Sequence, residues 1–115
     1  MSTAVSAVME PLIRRRVFVT EEEAVRSLLR QYVLQRVSAL QRELARFERK
    51  YGMRFEQFAK YLHERSVLLE EGELSPEQRQ VLGQAIMQEE DDWLDWKVGR
   101  EMLESWLGLR QEVIR

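Results

Sequence analysis

The densest run of chemically capable side chains lies at Glu89, Glu90, Asp91, Asp92, Trp93, Asp95 and Trp96. Carboxylates at this spacing could supply oxygen ligands to a hard divalent cation, since Asp92 falls beside Glu89 and Asp95 on one helical face. They could equally form a solvated belt, or present negative charge to a basic partner. No glycine-bearing cation loop surrounds them, and nothing places two of them in a cleft for proton transfer. The partner reading gains from Trp93 and Trp96, because tryptophan is enriched among the residues that dominate protein interfaces. Trp106 completes a set of three tryptophans within fourteen residues. Burial against a long helix is the alternative for all three. If the acids serve a partner, reversing Asp92 and Asp95 should abolish binding without unfolding the chain.

Other chemistry is excluded residue by residue. The chain has no cysteine and one histidine, His63, which removes thiolate ligands, disulfides, cysteine nucleophiles and any two-histidine metal motif. His63 reads as a surface or boundary residue. No phosphate loop, nucleophile elbow or dinucleotide fingerprint occurs. We therefore expect no enzyme, no metal and no cofactor. Arg14, Arg15 and Arg16 ahead of Val17, Phe18 and Val19 read as a short basic extended segment, a candidate nucleic-acid contact. The helix that follows is too long for a ribbon-helix-helix protein, so this contact is the weaker reading.

With 115 residues, five glycines and two prolines, the chain is a single small module with few turns, which favours long helices. The net charge of −2 conceals a basic front and an acidic belt. Residues 1–69 carry +5, residues 70–96 carry −8 with Arg79 as their one base, and residues 97–115 carry +1. Such a chain could pair its own halves, pair with another copy or offer each sign to a different partner. No apolar run exceeds three residues, so neither a membrane span nor a secretory signal is expected, and a cytoplasmic location follows from the lack of cysteine.

The elements that must hold these residues can be read from caps and periodicity. Residues 1–19 read as a flexible basic arm, whose first thirteen residues, interrupted by Pro11, are flexible or weakly docked, and residues 20–115 as one helical domain. Thr20 and Glu23 form a capping box that opens a helix running to about Lys50, about 45 Å long. Val33, Val37, Leu40, Leu44, Phe47 and Tyr51 are spaced by alternating fours and threes, the period of a helical seam buried in the core or in a dimer. Gly52 marks a left-handed C-cap. A second helix starts near Phe55. Ser75, Pro76 and Gln78 form another capping box for a third. Four successive acids at 89–92 suggest a break or kink near Glu90, with a last helix from about Asp92 to Leu107. The expected fold is all-α: a long N-terminal amphipathic helix with three shorter helices folded against it, as a dimer of helical hairpins.

The segment Phe47-Glu48-Arg49-Lys50-Tyr51-Gly52-Met53-Arg54-Phe55-Glu56-Gln57-Phe58 resembles one found in a group of small prokaryotic helical proteins, where a long helix ends in FExKYGMxFExF and an acidic element ExDxxxW follows. Residues 90–96 are similar to that second element. Many members are described as antitoxin-like, so the resemblance implies a protein that neutralises a small toxin-like partner by binding it, here a small basic one. A self-assembling helical scaffold is the alternative. Arg54 stands where the family more often has Ser or Thr, and residues 66–88 exceed the usual connector and should add a helix.

Overall fold

The computed structural model describes residues 3–114. Four helices follow in chain order: α1 (Thr3–Arg14), α2 (Glu21–Tyr51), α3 (Phe55–Glu71) and α4 (Pro76–Val113). There is no strand among the described residues. The fold is all-α, with the long α2 packed against α3 and α4.

The caps explain where each helix begins and ends. Thr20 Oγ1 accepts the Glu23 backbone N–H at 3.1 Å, and Glu21, Glu22 and Glu23 occupy the positive end of the α2 dipole. Gly52 stops α2 with φ +62°, its N–H bonding Glu48 O at 2.7 Å, a left-handed cap that glycine adopts without strain. At the start of α3, Arg54 brings no side-chain acceptor; Gln57 Oε1 instead accepts the Arg54 N–H at 2.9 Å. Ser75 and Gln78 exchange backbone and side-chain bonds of 3.0 and 3.1 Å ahead of α4. Arg79, the lone base of the acidic stretch, donates to Leu69 O and Gly72 O at the C-terminal end of α3. There it satisfies carbonyls that the helix leaves open.

Three expectations are corrected. The segment read as a flexible arm forms α1, twelve residues with Pro11 inside; its first two residues lie outside the described range. Residues after Arg14 turn rather than extend. Arg16 takes φ +59°, Arg16 N–H bonds Ile13 O at 3.0 Å and Val17 N–H bonds Leu12 O at 2.9 Å, the paired bonds of a Schellman cap. The break expected near Glu90 is absent: α4 runs unbroken for 38 residues and is the longest helix, not one of three short ones.

The chain divides into two compact units, Met1–Ser38 with Ser105–Arg115, and Ala39–Glu104. In the first, Ser6 Oγ donates to Glu21 Oε2 at 2.9 Å, and Tyr32 meets Trp106 edge to face at 5.7 Å. Ala24 and Val33 are fully buried and Val37 nearly so. The second unit has its core at Phe47, Phe58, Leu62 and Trp96, flanked by Leu44, Tyr51, Met53, Phe55, Tyr61 and Trp93. Val33, Val37, Leu40 and Phe47 are buried within one chain and Leu44 and Tyr51 half-buried, so the seam is core and does not wait for a dimer to cover it.

Candidate functional site

The acidic block sits on α4 in the second unit, and helical periodicity sorts its members by what they face. Glu89 and Asp92 turn toward α2 and α3. Arg65 Nη2 donates to Glu89 Oε1 at 3.0 Å, and the pair is largely buried. Asp92 Oδ2 accepts both Lys50 Nζ at 2.6 Å and the Tyr51 hydroxyl at 2.5 Å. Burial alone would raise the Asp92 carboxyl, but the bonds from Lys50 and Tyr51 outweigh it and hold it below its usual range. The Tyr51 hydroxyl is pushed well above the ordinary phenol range, first by burial and then by its bond to Asp92. Two of the five acids are thus committed to the fold.

Trp96 is committed as well. It is 1% exposed, stacked on Phe47 at 5.6 Å with an interplanar angle of 14°, and 5.6 Å from Phe58. This corrects its reading as a partner anchor: a side chain closed inside the core has no face left for another protein. Trp93 is half-buried, stacked on Phe55 at 6.1 Å with Lys97 Nζ 5.4 Å from its ring centroid. Its Nε1 is buried without a hydrogen-bond partner among the described residues, as are Arg65 Nε and Glu89 Oε2.

Glu90, Asp91 and Asp95 face outward and make no ion pair among the described residues. Glu90 and Asp91 border a groove of about 450 Å³ between α3 and α4. Helix α3 lines it with Ala59, Leu62, His63 and Ser66, and α4 with Glu90, Asp91, Trp93 and Leu94. Leu94 is 53% exposed, and Met87, Val98 and Met102 leave further apolar surface open on the same helix. Met87, Asp91, Leu94, Val98 and Met102 follow one another by steps of three or four, which places them along one side of α4.

The sequence analysis missed Leu94 and the α3 wall. Leu94 could have been found from its helical register with Asp91 and Val98, had α4 been read as unbroken. The α3 wall depends on how the hairpin closes, which no local signal gives. Arg14 ends α1, and Arg15 and Arg16 lie in the turn that follows, so these three form a basic turn and not a strand. With Glu89 and Asp92 held by cations, the acidic block does not converge as a set of oxygen ligands. Among the described residues no helix is long and apolar enough to cross a membrane. Comparison of the chain with protein-family models, curated proteins and solved structures gives no match.

Proposed function

We propose that the chain is a non-enzymatic, cytoplasmic helical module that binds a small basic protein in the groove between α3 and α4. Following the resemblance of residues 47–58, that binding neutralises the partner as an antitoxin does. One observation carries the reading: among the described residues Glu90 and Asp91 stand unpaired on the rim of an apolar groove, while their neighbours Glu89 and Asp92 are neutralised by Arg65 and Lys50. An apolar floor under a rim of one charge sign suits an amphipathic helix whose apolar face lies in the groove and whose cations meet the rim. Trp93 and Leu94 are the contact side chains, with Glu90, Asp91 and Asp95 giving steering charge.

The test is affinity purification of the tagged chain from its own host at low and high salt. The expected result is a stoichiometric small basic protein that is lost at high salt, lost from Glu90→Lys/Asp91→Lys, and retained by Glu112→Lys, a change of the same sign elsewhere. Retention by the groove variant would overturn the assignment, as would the absence of any second protein.

A further inference from the structure

We infer that the exposed side of α4 beside this groove is also a site of self-recognition, taken by α1 of a second copy of the chain; the inference rests on the groove reading above, because Glu90, Asp91 and Leu94 belong to both surfaces. It begins from the outward side of α1. A helix at a protein surface ordinarily turns polar residues to solvent. Helix α1 turns Ala4, Ala7, Val8 and Pro11 outward instead, with Val8 68% exposed, and none of its residues is buried. The same side ends in Arg15, followed by Arg16. Neither arginine has an acid partner among the described residues, whereas Arg14 lies 3.8 Å from Glu10.

The exposed side of α4 matches this pattern in reverse. Read from the C-terminal end it presents Met102, Val98 and Leu94, with Glu101 exposed beside them, and then Glu90 and Asp91, which make no ion pair among the described residues. Laid antiparallel, Ala4 meets Met102, Val8 meets Val98, Pro11 meets Leu94, and Arg15 and Arg16 arrive at Glu90 and Asp91. The steps along the two helices agree to within one residue, over about 17 Å on each. Small side chains on α1 allow close approach to the larger ones of α4. The opposite charges at one end fix the direction, because the reversed orientation would leave four charges against apolar surface. The contact joins two different surfaces, so each copy carries both halves of it.

The test uses two full-length charge-reversed variants, Arg15→Glu/Arg16→Glu and Glu90→Arg/Asp91→Arg, followed by sedimentation velocity over a concentration series. The unaltered chain should associate into multiples of 13.8 kDa at low salt and fall back toward one copy at high salt. Each variant alone should associate at least about tenfold more weakly. Mixed together they should associate again, since each α1 then faces an α4 surface of opposite charge. Recovery on mixing also shows that both variants are folded. A chain that stays at 13.8 kDa throughout would overturn the inference, as would variants that associate as the unaltered chain does. If the α1 variant still self-associates while the groove variant loses both self-association and the basic partner, the groove reading stands and α1 is the wrong occupant.

Discussion

The Tyr51 hydroxyl donates to Asp92 Oδ2 at 2.5 Å, and Lys50 Nζ reaches the same oxygen at 2.6 Å. The last turn of α2 is thereby tied to the middle of α4 through one carboxylate that sequence alone assigns to a partner. Removing the donor should cost about 1.5–3 kcal/mol, the range for a hydrogen bond to a charged group. Urea denaturation of Tyr51→Phe measures it, and an unchanged midpoint would show that the bond carries no stability.

The same contact predicts an acid limb. The Asp92 carboxyl is held below its usual range by Lys50 and Tyr51 in the folded chain, and in the unfolded chain it titrates near pH about 3.9. Its contribution is therefore fully present above the unfolded value and is lost as pH falls through the folded one. Tyr51 works in the other direction. Its folded value lies above the ordinary phenol range, so its contribution is whole below pH about 10 and disappears only as pH rises through the folded value. Stability against pH should fall less steeply on the acid side in Tyr51→Phe/Lys50→Met, and identical acid limbs would contradict the contact.

Two left-handed residues predict opposite responses. Gly52 at φ +62° has nothing within 4 Å of where a Cβ would stand, so Gly52→Ala should cost about 1–2 kcal/mol through backbone strain alone. Arg16 holds φ +59° with a full side chain. Arg16→Gly should stabilise by up to about 1 kcal/mol, the strain relieved less the greater entropy of unfolded glycine. Thermal melts of both variants check the pair, and a stabilising Gly52→Ala would contradict the C-cap geometry.

The two tryptophans of the acidic block should separate. Trp96 fills the core against Phe47 and Phe58, so Trp96→Ala should cost about 3–5 kcal/mol. Trp93 is half-buried at the groove wall, and Trp93→Ala should destabilise less while weakening the basic partner more. Calorimetry of the two variants beside a binding measurement gives the comparison, and a larger stability loss at Trp93 would reverse the assignment.

Much of this was legible in the residues. Thr20, Gly52 and the Ser75/Gln78 pair marked helix ends because capping acts within a few residues. The seam from Val33 to Tyr51 marked the buried stripe of α2 by its period. What local reading lost depends on distant partners. Four successive acids argue against a helix interior only while their charge is uncompensated, and Lys50 and Arg65 neutralise Asp92 and Glu89 from other helices. Pro11 argues against order in the arm around it, yet α1 continues through it to Arg14 and closes with a left-handed Arg16. The division of the acidic block into fold-holding and outward members needed only the helical register, but that register was cut at Glu90 by the expected break.

The central claim is that neighbouring acids on α4 do different work, and Asp91 and Asp92 test it side by side. Both would be changed to lysine, and each variant measured for its melting temperature and for retention of the basic partner at low salt. Asp91→Lys should melt with the unaltered chain and lose the partner. Asp92→Lys should melt lower, because it sets a cation against Lys50 and leaves Tyr51 without its acceptor. Equal loss of stability in both variants, or partner binding untouched by Asp91→Lys, would contradict the account.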